Sequence, residues 1–191
     1  LPKGLSESGY VVDLARTAPH ARLVRRQCLA SCQSVKVSTS MTLRVSVIVG
    51  NPKPQSRTPK VATTLVDHLF ASATFESTVI DLADHQDEIF AWPSERMSAL
   101  NAAVAESDLA VFASPTYKAT YTGLIKAFLD RFPANGLAGV VAIPVLTIAD
   151  GTHTMAPTHN FAPLLAELGA IVPGRGLAFP ASQMDHLDEI V

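Results

Sequence analysis

From residue 43 onward the chain alternates short apolar runs with amphipathic segments, and that alternation leaves few folds open. The runs 43-LRVSVIVG-50, 77-STVIDL-82, 108-DLAVFAS-114 and 139-GVVAIPVLTIA-149 read as strands, and 170-AIVPGRGLAFPA-181 holds one short last strand, broken by a bulge. Residues 58–72, 94–107, 122–132 and 158–170 read as helices between them. Near-continuous apolar strands are strands buried on both faces, and strands separated by helices pair in parallel. The expected fold is therefore α/β: a doubly wound, five-stranded parallel sheet with helices on both faces.

Local signals support these boundaries. Thr58 is placed to cap the first helix, with Pro59 at a position where its missing N–H costs nothing. In that helix Val61, Leu65 and Leu69 form one apolar face, flanked by Ala62 and Val66. Ser94 is placed to cap the second helix, and Gly169 to stop the fourth.

Composition narrows the class. The chain has 191 residues, 48% hydrophobic and 17% charged, which is enough for one globular domain with a core. A net charge of −2 gives no reason to expect a nucleic-acid surface. The longest apolar run, 137-LAGVVAIPVLTIA-149, is interrupted by Gly139 and Pro144 and reads as a buried strand, not a membrane span. Two cysteines make no disulfide framework, which fits a reducing cytoplasm.

Residues 1–40 differ from the rest. They carry six Lys/Arg against two acids, whereas 41–191 carries nine against fifteen. Met41 opens MTLRVSVIVG like a protein start. We expect 1–40 to be an extension outside a domain spanning 41–191: a vector or upstream-translated segment, a basic targeting segment, or a helical arm over 10–30 that covers an open sheet face. Pro19 argues against an unbroken helix there. Cys28 and Cys32 lack the second ligand pair that a zinc site needs.

In doubly wound sheets ligands sit beyond the C-terminal strand ends. The loops that follow strands one, three and four are the ones with unusual chemistry. The loop 50-GNPKPQSRT-58 leads into a helix N-terminus, where free N–H groups favour an anion. Ser56 and Thr58 add hydroxyls, and Arg57 can grip a phosphate bidentately. It matches neither the Walker lysine pattern nor G-x-G-x-x-G, and an ordinary capped turn remains the plain alternative. In 114-SPTYKATYTG-123, Pro115 stiffens the strand exit, Thr116 and Lys118 offer donors, and Tyr117 and Tyr121 offer flat rings for a planar heterocycle. In 149-ADGTHTMAPTH-159, Asp150, Thr152 and His153 are placed to edge the same heterocycle. His153 and His159 lack a third ligand at metal spacing, so no metal is expected.

These three stretches resemble the NADPH-dependent FMN reductase family, over about residues 43–182. The pattern in 114–130, S-P-x-Y-x-x-x-Y-[ST]-G-x-[LI]-K-x-[FL]-L-D, carries the resemblance most specifically, and the branch it resembles supplies reduced flavin to two-component alkanesulfonate monooxygenases. The resemblance implies a flavodoxin-like fold with a further helix after the last strand, of which 183-QMDHLDEIV-191 looks like only the first turns, so the last helix is expected to be cut short. It implies that Ser56, Arg57 and Thr58 hold the FMN phosphate, that Pro115, Thr116, Tyr117 and Lys118 run along the isoalloxazine, and that Asp150, Gly151 and Thr152 close its far edge. It implies a π-bulge at Tyr121, at a subunit contact of a homodimer or homotetramer. Ala149-Asp150-Gly151 departs from the glycine pair common in the family.

The implied activity is hydride transfer from NADPH to FMN, with the flavin doing the chemistry and no acid–base triad. The implied small molecules are flavin and nicotinamide, and the implied protein partner is a flavin-dependent monooxygenase. Neither nucleic acid nor membrane is expected. A quinone or azo reductase with tightly held FMN would share these motifs. A flavodoxin-like electron carrier and an inactive truncated relative are the non-enzymatic readings.

Overall fold

The computed structural model describes residues 42–191. The arm helix, both cysteines and the 40/41 boundary lie outside the described residues.

Five strands form one sheet: β1 (Leu43–Val49), β2 (Phe75–Asp81), β3 (Leu109–Pro115), β4 (Val141–Ile148) and β5 (Leu177–Pro180). Their order is β2-β1-β3-β4-β5, and every neighbouring pair is parallel. The all-parallel sheet is what the alternation predicts, and its order is the flavodoxin-like one that the resemblance implies. The register places Val45 beside Leu109 and Val47 beside Val111, and β3 meets β4 from Leu109↔Val141 to Pro115↔Thr147. From β1 the chain moves outward to β2, then returns past β1 to β3. The strand order thus reverses between β1 and β3, and a crevice opens beyond their C-terminal ends.

Helices α1 (Thr58–Leu69), α2 (Glu95–Ala105), α3 (Gly123–Leu129), α4 (Ala162–Glu167) and α5 (Leu187–Ile190) cover the two faces. Alternate residues of one strand serve opposite cores. On one face Val45, Val47, Val49, Val111 and Phe179 pack with Val61, Ala62 and Val66 of α1 and Leu187 of α5. On the other, Ile48, Phe112 and Leu146 pack with Met97 of α2, Phe128 of α3 and Leu165 of α4. Burying a side chain such as Phe112, which is 0% exposed, stabilises the fold by about 1.5–3 kcal/mol. The edge strand β2 is different, since only Ile80 in it is buried.

Several local expectations hold. Ser94 Oγ accepts from Met97 N at 3.1 Å and caps α2. Gly169, at φ +87°, ends the fourth helical segment as a left-handed stop. The last strand is interrupted: Ile171 bridges Val141 alone, and pairing resumes only at Leu177. After β5 come a 3-10 segment, Ala181–His186, and the one-turn α5.

Others need correction. Thr58 does not cap α1. Arg57 holds the cap position in helical conformation and its side chain makes no capping bond, and Thr58 Oγ1 instead accepts from Asn51 Nδ2 at 3.1 Å. Helix α1 stops at Leu69, which is 49% exposed, so the buried stripe is Val61, Ala62 and Val66. The fourth helical segment does not begin as an α-helix. Its first turn, Pro157–Phe161, is a π turn in which Ala162 N donates to Pro157 O five residues back.

Candidate functional site at the C-terminal ends of the strands

The loop after β1 is anchored at both ends. Gly50 N donates to Ala113 O at 2.7 Å, and Thr122 Oγ1 donates to Gly50 O. A Cβ on Gly50 would lie 2.3 Å from Ile125 Cβ, so β1 leaves the sheet in contact with α3 and only glycine fits there. Asn51, buried, braces the loop: its Oδ1 accepts from Lys53 N at 3.0 Å while its Nδ2 reaches Thr58. Gln55 takes φ +53° at the tip.

This bracing aims polar groups at one place. A cleft of about 300 Å³ is lined by Asn51, Lys53, Ser56, Arg57, Thr58, Pro115, Thr147, Ala181 and Met184. It lies over the N-terminus of the twelve-residue α1, whose first turn carries no acidic residue. The free N–H groups there, with Lys53 and Arg57, make a positive pole. Ser56 Oγ is buried and has no hydrogen-bond partner among the described residues. Arg57 Nη1 donates to Ala181 O at 3.0 Å.

The loop after β3 leaves from the opposite rim. Ser114 Oγ donates to Pro115 O at 2.9 Å and accepts from Thr122 N at 3.0 Å. Thr116 N continues the β3–β4 pairing by donating to Thr147 O at 2.9 Å, while Thr116 Oγ1 is a second buried hydroxyl without a partner. Tyr117 and Thr120 then close a two-residue reverse turn, with Lys118 at φ +51° and Ala119 at φ +69°. Left-handed conformations cost non-glycine residues on the order of 1–2 kcal/mol each. Tyr117 stands 50% exposed on this turn.

The loop after β4 is a 3-10 turn, Gly151–His153. Asp150 Oδ1 accepts from Thr152 N at 2.8 Å. Hydrogen bonds from Thr152, with His153 adding, hold the Asp150 carboxyl below the usual carboxylate range.

Of the residues singled out in the sequence, Ser56, Arg57, Thr58 and Pro115 share the cleft wall. Thr116, Tyr117 and Lys118 follow Pro115 in the chain but are not among the residues that line the cleft. Asp150, Gly151 and Thr152 stand outside its lining, one turn beyond Thr147–Ala149. Tyr121 is not in a π-bulge: it precedes α3, and the π turn belongs to Pro157–Phe161. The two are in contact, with the Tyr121 and Phe161 ring centroids 4.8 Å apart.

Sequence reasoning missed Asn51, Ala181, Met184 and Gln86, whose Nε2 donates to Pro52 O at 2.9 Å. Asn51 was findable, because an Asn two residues before an unpaired N–H invites that turn. The others come from distant segments with no local signal.

A slightly larger groove, about 330 Å³, runs between α2 and the turn after α3. There the Arg131 guanidinium lies 4.1 Å from the Trp92 ring centroid and donates to Ile89 O and Ala91 O, a clasp on the 89–92 segment. It has no helix N-terminus and sits away from the β1/β3 crevice. Among the described residues no group of three His, Cys, Asp or Glu is placed to hold a metal, and no helix is long and apolar enough to cross a membrane.

An FMN reductase (NADPH) of Pseudomonas aeruginosa is 28% identical over 152 residues, 75% of this chain and 80% of that protein. An FMN reductase (NADPH) of Pseudomonas putida is 29% identical over 85 residues, 44% of this chain and only 43% of that relative's length. The apo structure of an NADH:FMN oxidoreductase (EMOB) superposes with a TM-score of 0.66 at 26% identity, covering 78% of this chain and 86% of that one. A family model described as NADPH-dependent FMN reductase matches residues 43–183, which includes all five strands and all three loops at their C-terminal ends. Matched over 43–183, the chain belongs to the NADPH-dependent FMN reductase family.

Proposed function

We propose that this protein is an NAD(P)H-dependent FMN reductase that releases reduced flavin to a partner monooxygenase. The observation that carries the reading is the Ser56 hydroxyl, buried and unpartnered beside the open N-terminus of α1 and the Arg57 guanidinium. A buried hydroxyl without a partner costs about 1–3 kcal/mol, and a phosphate oxygen would offset that cost. The donor set fits the FMN phosphate: Ser56, Arg57, Thr58 and the main-chain N–H groups of the first turn. Thr116 Oγ1 is a second unpartnered donor, suited to a carbonyl or ring nitrogen. Tyr117 and Lys118 would lie along the isoalloxazine, with Pro115 stiffening the approach. Asp150, Gly151 and Thr152, on the turn that follows β4, would meet its far edge.

Bound flavin supplies the redox chemistry, taking electrons from a reduced nicotinamide. The residues named here bind and orient. Tyr117 leaves one side of its turn open to solvent, where a second planar ring could stack. The name of one relative specifies NADPH and that of another NADH, so both are candidate donors. We place the protein in the cytoplasm, with 41–191 as the working domain and a homodimer or homotetramer as the assembly.

The test is NADPH and NADH oxidation by purified protein with and without added FMN. Oxidation that requires free FMN and saturates with it supports flavin donation. No oxidation with either nucleotide, at FMN concentrations that occupy the site, overturns the reading.

A further inference from the structure

The turn that carries Tyr117 and Lys118 is held in a conformation its own residues disfavour. Two successive non-glycine residues, Lys118 and Ala119, have positive φ. Such a turn normally selects Asn or Gly. All three residues 117–119 are exposed, so burial does not hold it. Strained backbone persists only where the surroundings over-determine it.

The surroundings are the π turn Pro157–Phe161. Its adjacent residues Asn160 and Phe161 both reach the 116–122 loop. Asn160 Nδ2 donates to Ala119 O at 2.7 Å, and the Phe161 ring packs on Tyr121 at 4.8 Å. Phe161 is itself fixed, fully buried and edge-on to Phe112 of β3 at 6.4 Å. One widened helical turn thus grips the loop at its strained crest and at its exit. Removing the extra residue of the π turn would rotate one of these two groups away from the loop.

We propose that Asn160 is a positioning residue for flavin binding: it holds the Tyr117–Thr120 turn in its left-handed form and so presents Tyr117 and Lys118 to the isoalloxazine. This rests on the reading of the site as an FMN site. Asn160 itself touches no ligand in this scheme.

The test uses the full chain, with Asn160→Ala, Ala119→Gly and the double variant. The first readout needs no flavin: the rate of trypsin cleavage after Lys118, mapped by mass spectrometry. The second is the split between KM for FMN and kcat. Asn160→Ala should speed cleavage after Lys118 and raise KM for FMN, each by about three- to tenfold, the worth of one hydrogen bond. KM for the nicotinamide should move less than KM for FMN. Adding Ala119→Gly should recover much of both effects, because glycine adopts φ > 0 without a steric cost. Faster cleavage with recovery, in a protein that does not bind FMN, would uphold the clamp and overturn the FMN reading alone. Unchanged cleavage after Lys118 would overturn the clamp, as would a KM shift that Ala119→Gly does not recover. Ala119→Gly alone sits on an exposed turn and keeps the comparison valid should Asn160→Ala fold poorly.

Discussion

Arg57 donates through Nη1 to the main-chain oxygen of Ala181 at 3.0 Å, across 124 positions of sequence. The arginine at the head of α1 is therefore held in place by the segment that follows β5, and its remaining N–H groups have no other partner among the described residues. Lysine could keep the charge but not both engagements. Arg57→Lys should weaken FMN binding by about tenfold, the size of a charge-assisted hydrogen bond, and leave riboflavin binding unchanged. Flavin-fluorescence titration with the two ligands checks this. Equal loss for both would remove Arg57 from the phosphate site.

Ser56 gives a prediction of opposite signs. Its Oγ is buried without a partner, so Ser56→Ala removes an unsatisfied group. The ligand-free protein should melt at the same temperature or up to a few degrees higher, while FMN binding weakens by about 1 kcal/mol or more. Thermal melts with and without FMN separate the two effects.

Gly50 tests the frame behind the loop. A Cβ there would meet Ile125 Cβ at 2.3 Å, far inside van der Waals contact. Gly50→Ala should destabilise the fold by about 2–4 kcal/mol, since β1 or α3 must shift. Urea denaturation measures it, and a loss under about 0.5 kcal/mol would mean the β1 exit is softer than drawn.

His85 sets a pH limit. Burial lowers its pKa first, and Arg96 adds to this; Asp84, Asp87 and Glu88 partly offset both. Its Nδ1 is buried and has no hydrogen-bond partner among the described residues. With the folded pKa below the unfolded one, the unfolded chain binds the proton first. The contribution to stability is therefore present above about pH 6.5 and lost as pH falls toward the folded value. The melting temperature should drop between about pH 7.5 and 5.5, and His85→Gln should flatten that slope.

The sheet was legible because its signals are periodic and local. Val45, Val47 and Val49 alternate with Ile48 into two cores, and Ser94 caps α2 as its sequence context indicates. The polar loop after β1 was legible as a cleft wall from its composition and place, yet the role of Thr58 was not. Asn51 claims its hydroxyl, and Arg57 rather than a capping side chain begins the helix. Leu69 fits the apolar stripe by spacing but falls in the last turn of α1 and is half exposed. Asn160 and Ala181 had no local signal at all, because each acts on a loop far away in sequence. The π turn was expected at Tyr121 and occurs on the element that Tyr121 packs against.

The bonds that frame the cleft are also wide chain closures: Thr122 to Gly50 spans 72 positions, and Arg57 to Ala181 spans 124. Contacts of such separation require the intervening chain to be ordered before they are rewarded. A partly folded molecule therefore has no cleft, and a ligand bridging it recognises only the finished chain. By mass action a hundredfold excess of ligand over Kd adds about 2.7 kcal/mol to the folded state. Ligand at the cleft should therefore raise the melting temperature of the whole fold, not stiffen one loop alone.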